Sequence, residues 1–162
     1  MFDVKVTAFC VALAFMACSH GSHDKRELQT QSRPQQVLSK SVAFETISLS
    51  GGGGFTGMHE GFTIFPDGRV EGWSKSVGGK RTVFGKGKIS AGRASALAAE
   101  LRASGALSQT CLKTGNYTMI VHFAAADSTY KWSWSRSEDA PGGLAAWYKS
   151  TYEMCRKIFT TN

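Results

Sequence analysis

Apolar and polar positions alternate at residues 42–49, "VAFETISL", where Val42, Phe44 and Thr46 share one side and Ile47 and Leu49 continue an apolar strand. After the glycine-rich stretch 50–57, the run "GFTIFPDGRVEGW" places Pro66-Asp67-Gly68 between two extended segments. That turn chemistry predicts a hairpin of 62–65 with 69–73. A further strand is expected at 81–89, and its lysines and glycines mark it as an edge strand. Ser90 is placed to cap a helix running to about residue 104, with Gly105 to stop it, and Ala94, Leu97, Ala98 and Leu101 form its narrow apolar stripe. A second hairpin pairs 117–124 with 129–134, and Tyr130, Trp132 and Trp134 fall on one face of its last strand. More often than not such an aromatic stripe is the core face of a sheet.

The clearest period lies at 142–159, where Leu144, Trp147, Tyr148, Thr151, Met154, Cys155 and Ile158 fall on one side of a helix and Lys149, Glu153, Arg156 and Lys157 on the other. The order of strands, helix, two strands and helix predicts an α+β fold, an antiparallel sheet of about five or six strands packed against two helices.

The first residues break this pattern. "MFDVKVTAFCVALAFMAC" carries an uncharged apolar run from Val6 to Ala17, short of the roughly 20 residues a membrane-spanning helix needs, so residues 1–17 read as a signal peptide. Ala14-Phe15-Met16-Ala17-Cys18 resembles the lipobox of bacterial lipoproteins, with phenylalanine where leucine is usual. It implies acylation of Cys18 with fatty acid such as palmitate and a lipid-anchored protein. Ser19 in place of aspartate selects the outer membrane where the cell has one. Residues 18–40 are polar without a period and read as a tether, about 70 Å long at full stretch, leaving 41–162 as a single domain.

The net charge is +7, and removing residues 1–17 takes away Lys5 and Asp3 without changing it. The excess favours acidic partners, and export argues against nucleic acid. Of the four cysteines, Cys10 leaves with the signal and Cys18 is the acylation site, so Cys111 and Cys155 have one intramolecular pairing. A disulfide there would stabilise the fold by about 4 kcal/mol; two buried free thiols are the alternative.

Catalytic motifs fail on context. Gly52, Gly54 and Gly57 spell G-x-G-x-x-G, but a dinucleotide site needs a helix directly after the glycines, and a hairpin follows. "HEGFT" at His59 lacks the second histidine of a zinc-protease helix. Ser128 and Lys131 form S-x-x-K, yet three positions along a strand put the two on opposite faces. His122 reads as a face residue of its strand. No enzyme, cofactor or metal is expected.

The glycine stretch remains, with Phe55 as its one large side chain. Either Phe55 tucks into the core, or it is presented to a partner's pocket from a loop carried by a sheet. Here "SGGGGFTG" resembles the SGGFxG signature of the emfourin family, small inhibitors of thermolysin-like zinc peptidases. The likeness extends through "ASALAAELRASGAL", "YTMIVHF" and "PGGLAAWYKSTYEMCRKI", covering most of residues 44–159. The chain departs from that family in the inserted "GFTIFPDGRVEGWSKSVGGKRTVFGKGK" region and in its leader. The resemblance implies peptidase inhibition, with Ser50, Gly53, Gly54, Phe55 and Gly57 docking at or beside the active-site cleft of an extracytoplasmic metallopeptidase. Two other expectations stand beside it. One is binding of anionic envelope polymer or glycan by Lys75, Lys80, Arg81, Lys86 and Lys88 with Trp73 nearby, and the other is an immunity lipoprotein that neutralises a toxin.

Overall fold

A computed structural model describes residues 43–160; the signal peptide, Cys18 and the tether lie outside the described residues. The sheet contains β1 (Phe44–Gly53), β2 (Met58–Ile64), β3 (Arg69–Lys75), β4 (Thr82–Lys88), β5 (Tyr117–Ala125) and β6 (Thr129–Trp134). Helix α1 (Ala91–Ala103) follows β4, and α2 (Leu144–Thr160) follows β6. The strand order is β4-β3-β2-β1-β5-β6, and every named pair is antiparallel. This is the expected α+β fold, with six strands and two α-helices among the described residues. None of the described helices is long and apolar enough to cross a membrane.

The register explains why one face is dry. On central β1, Ile47 lies between Ile64 and Phe123, and Leu49 between Phe62 and Val121, so each apolar position is flanked by others at the same height. These six side chains join Val70, Trp132 and Trp134 in the core. Ala94, Leu97, Ala98 and Leu101 of α1 and Leu144, Trp147 and Cys155 of α2 complete it. Each large apolar side chain removed from water contributes about 2–3 kcal/mol before its ordering cost. The small residues of α1 let it lie close, and Trp147 Nε1–H donates to Leu97 O at 3.1 Å, tying the helices together.

The local signals act as expected. Ser90 Oγ accepts from the Arg93 N–H at 3.1 Å as the α1 N-cap, and Gly105 follows the helix in the left-handed region at φ 78°. At the β2–β3 turn, the Gly68 N–H donates to Phe65 O at 3.0 Å and Asp67 Oδ1 accepts from the Arg69 N–H at 3.0 Å. Edge strand β4 meets α2 through its glycines: a side chain at Gly85 or Gly87 would run into Phe159 or Ile158.

The glycine stretch is where the structure departs from expectation. Residues 50–53 are strand, the end of β1, paired on both sides with β2 and β5. Only residues 54–57 form the connection.

The cysteines differ from expectation too. Cys111 and Cys155 are buried free thiols. Cys111 lies on the segment that flanks β6, where the Ser133 N–H donates to Cys111 O at 2.8 Å. Its Sγ–H has Ser133 O and Asp139 O as acceptors, both at 3.2 Å. Cys155 is sealed in the α2 core face, and burial pushes its thiol up to about 12. Each sulfur is satisfied by its own surroundings: backbone oxygens for one and apolar packing for the other.

Candidate functional site

Both described helices pack on the face carrying Ile47 and Leu49, and among the described residues no helix covers the opposite face of the sheet. Three rows of side chains cross that face. Glu71, Thr63, Ser48, His122 and Lys131 stand side by side; next come Trp73, Gly61, Ser50, Ile120 and Ser133; then Lys75, His59, Gly52 and Thr118. On the central strand these rows carry only Ser48, Ser50 and Gly52, while Glu71, Trp73 and Lys75 stand on β3 and His122, Ile120 and Lys131 on β5 and β6. The face is therefore hollow, a concavity of about 970 Å³.

The rim is built by three connections. The β1–β2 turn contributes Gly53, Gly54 and Gly57, the β3–β4 loop contributes Ser76, Val77, Gly78 and Arg81, and the lead into β5 contributes Gly115 and Asn116. The turn is a backbone device: the Gly57 N–H donates to Gly54 O at 3.1 Å, and the Gly54 N–H donates to Asn116 O. Gly54 and Gly57 have φ of 68° and 58°, a region that side-chain-bearing residues enter at a cost. A Cβ at Gly57 would also collide with Val77, so the turn and the β3–β4 loop abut.

Phe55 is at the tip of that turn, and its relative accessibility of 108% answers which way it points: into solvent. Val77, Met58 and Tyr117 are exposed at the same end of the sheet, with Met58 and Tyr117 flanking Gly53 in the register. Of the residues expected to bind a partner, Phe55 protrudes, Gly53, Gly54 and Gly57 form the rim, and Ser50 is 5% exposed on the floor of the concavity. The stretch thus serves two surfaces, a protruding tip and a recessed floor.

The concavity is cationic. Lys75, Arg81 and Lys131 line it with His59 and His122, and among the described residues no carboxylate does. The nearest acidic residue in the rows, Glu71, is engaged by Arg69 at 2.8 Å and Arg81 at 3.7 Å. Lys75 and Lys131 make no ion pair among the described residues. His122 is held below the usual histidine range by desolvation and by the charge of Lys131. The Arg81 guanidinium lies over the Trp73 ring at 4.7 Å and donates to Thr63 Oγ1 at 2.9 Å, and its own desolvation lowers its pKa.

Of the cations expected to grip an anionic polymer, only Lys75 and Arg81 reach this hollow. Lys80, Lys86 and Lys88 do not line it. Trp73 is 8% exposed beneath Arg81, so its ring is no open stacking platform. Trp132 and Trp134 are core residues. Sequence reasoning missed Lys131, His59 and Asn116 as neighbours. The only signal was the alternation of Ser48 and Ser50 with Ile47 and Leu49, which marks a second face without saying what stands beside it. Ser128 sits in the β5–β6 turn, with its hydroxyl on Asp127 Oδ1 at 3.0 Å. Among the described residues, no three histidine, cysteine, aspartate or glutamate side chains gather as a metal would require.

No protein-family model matches the chain, and no curated protein sequence matches it.

Proposed function

We propose that this chain is a lipid-anchored, extracytoplasmic protein-binding module whose contact is the turn at the end of β1, with Phe55 as the anchor. The observation that carries the reading is the full exposure of Phe55 on a turn held by its own backbone hydrogen bonds. An aromatic ring exposed on a rigid support loses little freedom on binding, which makes it an efficient occupant of a partner's pocket. Val77, Met58 and Tyr117 extend the apolar surface around it. The partner we favour is a thermolysin-like metallopeptidase, on the strength of the SGGFxG-like stretch, with inhibition by blocking the cleft rather than by chemistry. The anchor is the acylated Cys18.

Titrating the full chain against such a peptidase tests this. Stoichiometric inhibition is expected, weakened more than about tenfold in Phe55→Ala. Absence of inhibition at about 10 μM removes the peptidase as partner, and equal inhibition by the variant moves the contact away from Phe55. Replacing Cys18 by serine should abolish fatty-acid incorporation and partition into detergent.

A further inference from the structure

The concavity on the helix-free face has a composition that docking by Phe55 does not use. We propose that it is a binding site for a small ligand presenting an oxyanion, a phosphate or a carboxylate, together with a hydrogen-bond acceptor for the indole of Trp73.

Two independent observations meet here. The first is charge: among the described residues, Lys75, Arg81 and Lys131 line the hollow from β3, a loop and β6, no carboxylate lines it, and the two lysines make no ion pair. Arg81 is shared with Glu71, which leaves the two lysines of the lining without a carboxylate partner, and an anion in the hollow would be drawn to them. The second is an unmade bond. Trp73 is 8% exposed, lines the hollow and has its Nε1–H buried without an acceptor among the described residues; His59 Nδ1, in the same wall, is likewise buried without a partner among them. A buried donor left unpaired is destabilising, and a ligand oxygen would supply the missing acceptor.

The floor suits such a ligand. Ser48 and Ser50 are held on the central strand, bonded to neighbours on both sides, so the polar groups are positioned before anything binds. A volume of about 970 Å³ is in the range of small-molecule sites. Cationic side chains beside serine hydroxyls and an indole donor select oxyanions over neutral or cationic compounds. The inference does not rest on the peptidase reading, since it uses the floor and walls of the face rather than Phe55.

The test is nitrogen-edited NMR of the full chain, titrated with glycerol 3-phosphate and with glucuronate. Neutral glycerol and glucose, and potassium chloride at matched ionic strength, serve as controls. The Trp73 indole N–H should shift with at least one anion, and His122, which faces Lys131 on β6 and Ser48 on β1, should titrate at higher pH in its presence. Lys75→Met and Lys131→Met, both at exposed positions, should each weaken binding roughly tenfold with the melting temperature retained. Which anion binds identifies the oxyanion. No shift from either anion at about 10 mM, equal shifts from the neutral compounds or from chloride, or full affinity in both lysine variants would overturn the assignment.

Discussion

Arg81 and Trp73 are stacked, the guanidinium carbon 4.7 Å from the ring centroid, and the same guanidinium donates to Thr63 Oγ1 at 2.9 Å. This one contact fastens the β3–β4 loop across the open face and covers the indole. Replacing Arg81 with methionine keeps much of the apolar cover and removes the charge and the hydrogen bond. The expected loss is about 1 kcal/mol, because the group is partly exposed. Thermal unfolding should show a drop of about 4 °C, and tryptophan emission should report a wetter Trp73.

The tip of β1 separates shape from contact. Phe55→Ala should leave the unfolding free energy within about 0.5 kcal/mol of wild type, since a fully exposed ring has no packing to lose. Gly57→Ala should cost about 1–3 kcal/mol, from a left-handed φ of 58° and a collision with Val77. Chemical denaturation of the two variants side by side checks both.

Gly87 is the point at which α2 lies on edge strand β4. Gly87→Val would drive a side chain into Ile158, and overpacking of this kind costs about 1–3 kcal/mol. Hydrogen exchange should show β4 losing protection ahead of β1 and β5, because β4 is paired on one side only.

The Cys155 thiol, pushed up to about 12 by burial from an ordinary value of 9.0, links stability to alkaline pH. Above about 9 the unfolded chain releases this proton and the folded chain does not, so stability should fall as pH rises from 9 towards 12. Burial likewise raises the Tyr148 and Tyr152 hydroxyls, which add to the fall above 10. Cys155→Ala should flatten the dependence between 9 and 10, measured by denaturation at a series of pH values. Alkylation with peptide mapping should find Cys111 and Cys155 unmodified in the folded protein and both modified in denaturant; a disulfide-linked peptide pair would restore the pairing expected from the sequence.

His122 links stability to acid. Its pKa is lowered in the fold, so its contribution is fully present above about 6.5 and is lost as pH falls through the lower folded value. Lys131→Met removes the opposing charge and should raise the His122 titration, read from its ring protons.

Almost every element was legible because its cause is local. Pro66-Asp67-Gly68 makes a turn wherever the flanking residues extend, Ser90 caps whatever helix follows, and the spacing of Leu144, Trp147, Thr151 and Cys155 admits a helix with one apolar face. The glycine stretch misled for the same reason. Consecutive glycines carry no local preference for strand, and residues 51–53 belong to β1 because β2 and β5 pair with them on both sides, with Gly53 ending the strand at φ 122°. The disulfide expectation rested on elimination, whereas the positions of Cys111 and Cys155 depend on how a loop and a helix pack.

What the sequence determined by itself was most of the strands and helices and the apolar stripe of each helix, since periods of two and 3.6 residues are properties of a single segment. The direction of Phe55 and the gathering of Lys75, Arg81, Lys131, His59 and Trp73 around one hollow were decided only by the tertiary structure. Those residues come from β2, β3, β6 and a loop, and they become neighbours through strand order and register. Order and register are set by the packing of Ile47 and Leu49 between their partners on the opposite face.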